Sequence, residues 1–305
     1  MERASCGPVS LRRYVCRLRG GSHPILAEAS DGQLYVVKLA NNHQSSNLAF
    51  NEAMGAALFE AFGLYVVPWR PIVVSNHFIE ENRECWIETP MESRPPRSGI
   101  CFGARFLRSY DRAMYEILPA AYFEKIQNRA DFWLAWLVDA CAGHVRNREA
   151  LFHAMDDGML TALFIDHGHM FGGPEGDENL CIAASRYLDL RIYEGHAGRL
   201  PINLGVFAEK LKAERIWNRA LALPDEWKLG PALSRLADYL NRLSSPRYVE
   251  QISNEMMVSF GHACARALAC TDNRTSTTIL DTCLLPAKSQ ERIAAAGDCS
   301  AYGGE

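Results

Sequence analysis

The chain has 305 residues, 48% apolar and 22% charged, the balance of a core-forming globular protein. Its net charge of −4 excludes a broadly basic surface, so nucleic acid is not an expected partner. No window approaches the ~20 apolar residues of a membrane span, and no apolar leader run opens the chain, so a soluble cytoplasmic protein with no membrane partner is expected.

Taken in order, residues 1–92 read as a β-rich unit built around one helix. Tyr14 to Leu18 and Pro24 to Ala29 are predicted strands flanking a turn at Gly20-Gly21-Ser22. Asp31-Gly32 is a hairpin signal, followed at once by the apolar strand Leu34-Tyr35-Val36-Val37-Lys38. Asn41 to Ser46 reads as a polar loop with several possible helix caps. A helix then runs to about Phe62, with Phe50, Met54, Ala57, Leu58 and Ala61 on its core stripe, and Gly63 stops it. Val66-Val67, Pro71 to Val74 and Glu84 to Glu88 are predicted strands. Pro90 to Gly99, rich in proline and arginine, reads as a linker.

Residues 93–270 read as mainly helical. Phe123 to Asn128 is assigned to one helix. Asp131 is expected to cap the next, Phe132 to Ala142, which is apolar on nearly every side and so buried. A polar loop, His144-Val145-Arg146-Asn147-Arg148-Glu149, leads to two short strands around Leu151-Phe152 and Leu160 to Ile165, with a turn at Asp156-Asp157-Gly158. Helices are expected over 206–213, 232–243 and 247–268, and 271–305 reads as a poorly ordered tail. Ten cysteines without a CxxC pair read as reduced, buried thiols.

Lys38 and Asp166 each end an apolar strand, and a lysine with a carboxylate so delivered is what a nucleotide site uses: one grips phosphate oxygens, the other holds magnesium. Glu52, fourteen residues after Lys38 on the following helix, is placed to steady the flexible lysine. A surface ion pair is the plain alternative. The Gly20-Gly21-Ser22 turn precedes the lysine strand, where backbone N–H groups free to meet phosphate would be needed, but a simple turn reads equally well. Arg12, Arg13, Arg17 and Arg19 form a basic cluster that is either a solvated face or an attractor of polyphosphate. Asp166 is either a magnesium ligand or a hydrogen-bonded structural aspartate, with Gly168 allowing a sharp departure of the chain. The Asp166-His167-Gly168-His169 run, with His144 and His153, also allows a metal-dependent hydrolase, although no HExxH spacing is present.

The run Arg19-Gly-Gly-Ser-His-Pro, the strand Tyr35-Val-Val-Lys38, Asn51-Glu52, Gly63-Leu64, Asn128-Arg129-Ala130-Asp131-Phe132 and Phe164-Ile165-Asp166-His167-Gly168, in this order over residues 10 to 250, resemble HipA-like kinases. The resemblance implies an α+β, two-lobed protein-kinase-like fold with ATP and Mg2+ between the lobes. It implies that Lys38 contacts phosphates, Glu52 orients it, Asp166 holds magnesium, and Cys85 to Pro90 is the hinge beside adenine. The acceptor it implies is protein serine or threonine; nothing in the chain marks a protein or small-molecule acceptor.

The chain departs from the pattern in the loop. Such kinases carry a base aspartate and, five residues on, a metal-binding asparagine. Aligned by sequence, Arg146 and Leu151 occupy these positions, and arginine cannot act as a base. His144, Asn147, Glu149 and the upstream Asp139 are the available substitutes, with a buried hydrogen bond the plainer role for Asp139. Two readings follow from the resemblance: an active phosphotransferase with a rearranged loop, or a pseudokinase that binds nucleotide or a partner protein without chemistry.

Overall fold

The computed structural model describes residues 7–40, 47–88, 93–107, 113–173, 182–194, 207, 210–228 and 230–272. The predicted loop at Asn41–Ser46 lies outside these residues, as does nearly all of the predicted tail. The chain divides into compact units at 1–257 and 258–305, and all that follows concerns the first.

Strands β1 (Val9–Arg17), β2 (Ile25–Ala29), β3 (Leu34–Ala40), β4 (Trp69–Val74) and β7 (Arg97–Arg105) close a barrel in the order β1-β2-β3-β7-β4. A parallel pairing of Val9 with Ile72 and Ser10 with Val73 completes it. The period of two along a strand does the sorting. Tyr35, Val37 and Leu39 point into the barrel with Leu11, Ile25, Ala27, Ile72, Val74 and Cys101. Lys38 therefore stands on the outer face. There α1 (Leu48–Ala61) crosses, with Leu48 and every residue from Phe50 to Phe59 buried. Gly63, at φ +80°, closes its C-terminal end.

Between β4 and β7 lie α2 (Asn76–Glu81), a 3-10 turn at Arg83–Cys85 and a small ribbon of β5 (Ile87–Glu88) with β6 (Ser93–Arg94). The expected strand at Glu84 to Glu88 is thus mostly a turn, and Val66 makes only an isolated bridge to Phe164. The predicted linker is corrected as well. Pro95-Pro96 merely separates β6 from β7, and β7 pairs with β3 and β4, so the barrel extends to residue 105 rather than ending at 92. Cys85 and Ile87 are buried, Cys85 in the barrel core, so the Cys85 to Pro90 hinge assignment falls too.

After β8 (Met114–Tyr115) and a 3-10 helix at Ala120–Lys125, in place of the expected helix over 123–128, comes α3 (Asp131–Cys141). Asp131 opens its first turn and does not cap it; Ala130 holds the cap position. Burial of α3 is nearly complete, as its all-round apolar sequence requires, with Trp133 and Trp136 stacked against Tyr193. β9 (Glu149–Ala154) and β10 (Leu160–Ile165) form the expected hairpin. Three helices follow: α4 (Ala213–Leu221), α5 (Ala232–Leu243) and α6 (Pro246–Asp272). The helix expected over 206–213 lies largely outside the described residues. No helix among the described residues is long and apolar enough to cross a membrane.

The closest packing in the fold is α1 against the segment after β10. A Cβ on Gly55 would come within 2.5 Å of both His167 Cβ and Met170 Sδ. Gly55→Ala is expected to destabilise the protein by roughly 1–3 kcal/mol, because the neighbours on one side belong to backbone-anchored residues. A urea midpoint unchanged from wild type would contradict this.

Candidate functional site

Three elements converge on one ammonium. Lys38 Nζ on β3 bonds Glu52 Oε1 on α1 and, at 2.6 Å, Asp166 Oδ1 just beyond β10. The side chains are 14%, 2% and 30% exposed. Glu52 uses its second oxygen to accept the backbone N–H of His167 at 3.0 Å. It thereby fixes both the lysine and the chain next to Asp166.

The electrostatics follow from burial of one cation with two anions. Burial would lower Lys38, but the two carboxylates outweigh it and hold the amine well above its ordinary range. Burial raises Glu52, and the Asp166 charge adds to it, against the lysine's pull. Asp166 would also rise by burial, but Lys38 holds it far below the usual carboxylate range. The cluster carries one negative charge more than positive, which favours a further cation.

Asp166 itself adopts φ +58°. Expectation assigned the sharp turn to Gly168, but the aspartate makes it. Gly168 has a different reason to lack a side chain: a Cβ there would collide with Leu48 and come 2.9 Å from Glu52 Oε1. A left-handed non-glycine residue costs energy and persists only where its surroundings hold it. Here Arg148 does so. Its Nη1 donates to the carbonyls of Ile165 at 2.6 Å and Asp166 at 3.3 Å. Its other nitrogens grip Asp139 in a bidentate pair at 2.7 and 2.5 Å, and its guanidinium lies 4.7 Å above the Phe59 ring. Asn51 completes the frame, its amide donating to the carbonyls of Gly168, Met170 and Gly173 at 3.0–3.3 Å.

Asp139 is therefore a structural partner, its carboxyl pushed up to about 6 by burial against the pull of Arg148. Reasoning from sequence missed Arg148 and Asn51. The nine-residue step from a buried helix aspartate to a loop arginine was the one available signal for the first.

The hairpin fixes the register of the loop. Glu149 pairs with Ile165, next to Asp166, whereas Leu151 pairs with Leu163 two residues inside the strand. Glu149, not Leu151, thus stands beside the aspartate, and the residue five places before it is His144 rather than Arg146. Glu149 is exposed as a residue, yet its carboxyl is raised, first by desolvation and then by the Asp166 charge. Arg146 and Asn147 are exposed. His144 is buried, with Nε2 3.5 Å from the Asp166 carbonyl oxygen. Burial, then the Arg148 charge, hold its imidazole neutral.

His167 is buried and neutral for the same two reasons, its ring centroid 4.6 Å from that of Phe59. Among the described residues no group of three or more His, Cys, Asp or Glu side chains is placed to hold a metal. That removes the basis for the hydrolase reading on Asp166, His167 and His169: His167 faces Phe59 and Arg148, not the Asp166 carboxylate.

Gly20, Gly21 and Ser22 form the β1–β2 turn, closed by the His23 N–H to Gly20 carbonyl bond of 3.1 Å. Ile25 pairs with Arg17 on one side and Val37 on the other, so the turn lies at the Lys38 end of the barrel. In the basic cluster, Arg13 pairs with Glu28, and Arg17 donates to the carbonyls of Glu84 and Trp86.

No protein-family model matches the chain, and no curated protein matches it. Among solved structures, the chain is similar to a Golgi casein kinase with Mn/ADP bound, at 12% identity and a TM-score of 0.48, over 83% of this chain and 74% of that one. It is also similar to hydra Fam20 with sugar, at 11% identity and a TM-score of 0.48, over 82% and 88%. Likenesses of this size are too weak to bear on function, and the site is read from its own side chains.

Removing Arg148 alone strands a buried carboxylate. Arg148→Met is expected to cost about 3–5 kcal/mol, and the double variant Asp139→Leu, Arg148→Met less than the single one. Urea midpoints test this; a double variant no more stable than the single would refute it. His144 gives a pH signature. Its folded pKa lies below the ordinary ~6.5, so the unfolded chain takes up the proton first. Its contribution is intact above about pH 6.5 and is lost as pH falls below it. His144→Gln should flatten the fall of stability in that range by up to ~1.4 kcal/mol per pH unit; parallel pH curves for the two proteins would contradict the assignment.

Proposed function

We propose that this chain binds a magnesium nucleotide, ATP or ADP, between Lys38 and Asp166, as a kinase-like and specifically HipA-like protein. The observation that carries the reading is the Lys38 bridge between Glu52 and Asp166. That bridge joins a barrel strand, a helix and a post-strand turn, 14 and 128 residues apart. An ammonium steadied by one carboxylate and facing a second, partly exposed one is the arrangement that positions phosphates and their cation. A two-lobed arrangement, with the β-rich part extended to residue 105, belongs to the same proposal.

The donor set fits magnesium. Asp166 and Glu149 offer hard carboxylate oxygens at neighbouring positions, and Mg2+ is held by one or two carboxylates with phosphates and water completing its shell. When bound, the ion neutralises charge on the phosphate oxygens. Lys38 meets phosphate oxygens, Glu52 keeps the ammonium aimed, and Arg148 holds the Asp166 main chain. The glycine turn, at the Lys38 end of the barrel, is positioned to offer backbone N–H groups to phosphate.

A specific observation favours slow or absent transfer. The loop position five residues before Glu149 carries His144, and a buried imidazole with a depressed pKa is a weak proton acceptor for an acceptor hydroxyl. A nucleotide-binding pseudokinase is thus the second reading. If transfer occurs, a protein serine or threonine hydroxyl is the acceptor the HipA likeness suggests, and a cytoplasmic setting goes with it.

The test is titration of magnesium–ADP and of a non-hydrolysable ATP analogue into wild type, Lys38→Met and Asp166→Asn. Wild type is expected to bind only with the cation present. Each variant should lose about 2 kcal/mol or more of binding free energy. Wild-type binding that survives both substitutions, or no binding by wild type, would sink the proposal. Incorporation of labelled phosphate into serine-containing protein then separates the two readings.

A further inference from the structure

We propose that the segment from Lys210 to Lys228 is a built-in clamp that holds α1, and with it Glu52, in register with Lys38. A helix on the surface of a globular protein normally keeps a solvent face. α1 does not, being buried from Phe50 to Phe59 without a break. The barrel covers one side. The 167–173 segment covers another, through Gly55 against His167 and the Asn51 amide across three carbonyls. The third side belongs to α4 and the residues around it.

The clamp has anchors at two places. At the C-terminal end of α1, Lys210 Nζ donates to the Phe62 carbonyl at 3.0 Å, and Arg219 pairs with Glu60 at 2.7 Å. Both put positive charge where a helix leaves carbonyls without partners. The second anchor is on β7. The β3–β7 register shifts between the Lys38–Phe102 and Ala40–Arg97 pairings, and Ile100 lies in the interval. Its N–H goes instead to Glu226 Oε2 at 3.0 Å, and its carbonyl accepts from Trp227 Nε1 at 2.7 Å. Two consecutive side chains thus replace a strand at the gap beside the Lys38 pairing. Gly99, at φ +142°, makes room, since a Cβ there would come 2.8 Å from Glu226 Oε2. The same segment therefore ties the helix that carries Glu52 to the sheet that carries Lys38.

The functional half of this proposal rests on the nucleotide reading of the site, and the test separates the two. Glu226→Ala and Lys210→Met, each in the full chain, leave the Lys38, Glu52 and Asp166 side chains untouched. Amide hydrogen exchange over α1 should quicken roughly 5-fold or more while β1 and β2 keep wild-type protection, and magnesium–ADP affinity should fall by a similar factor. Unchanged α1 exchange in both variants overturns the clamp. So does equal loosening of α1 and the barrel strands, which would mean general destabilisation. A loosened α1 with unchanged affinity overturns its link to the site. If wild type binds no magnesium–ADP, the nucleotide reading fails, and the exchange measurement still decides the clamp.

Discussion

One buried ammonium between two carboxylates organises this protein. Lys38 cannot be deprotonated at any ordinary pH in that setting, and neither carboxylate is well solvated, so all three groups depend on being held together. A buried pair is costly unless geometry is good and the remaining hydrogen-bonding capacity is satisfied. The protein meets this by giving Glu52 a second partner in the His167 amide and by surrounding α1 on every side. Much of the fold can be read as the set of contacts that keep three side chains from separate elements within reach of one another.

A second buried ion pair supports the first. Asp139 and Arg148 are both inaccessible, so their energy is unscreened by solvent. Neither takes part in the Lys38 cluster directly. Arg148 acts on it through two carbonyl oxygens, and its stacking over Phe59 reaches back to α1. The loop that in a working kinase would carry a proton acceptor has here become part of this support. That exchange of a chemical role for a mechanical one is consistent with a protein that holds a ligand more readily than it transforms it.

The parts legible in the sequence were those that declare themselves locally. The alternation in Leu34 to Lys38, the Asp-Gly turns and the spacing from Lys38 to Glu52 led to β3, the β9–β10 hairpin and two of the three central side chains. Asp166 stood out because a charge ends an apolar run. What stayed hidden depends on distant partners. Residues 97–105 look like a linker because of their prolines and arginines, and only pairing with β3 and β4 makes them the closing strand of the barrel. Arg148 is one of two arginines in a polar loop, and nothing local says that it, rather than Arg146, turns inward. The loop alignment went wrong for the same reason: strand register, not loop sequence, decides that Glu149 faces Asp166.

The hydrogen bond from the His167 amide to Glu52 bears on how Asp166 can move. Its own carbonyl is tethered to Arg148, and the next peptide N–H is tethered to α1. The main chain on both sides is thus pinned, while the carboxylate itself is bound only by side chains. Any transfer of Asp166 from the lysine to a metal ion must then be a rotation about its side-chain bonds, a motion of picoseconds to nanoseconds, with no rearrangement of the loop. In this protein the switch between an empty and a charged site is the turn of a single rotamer.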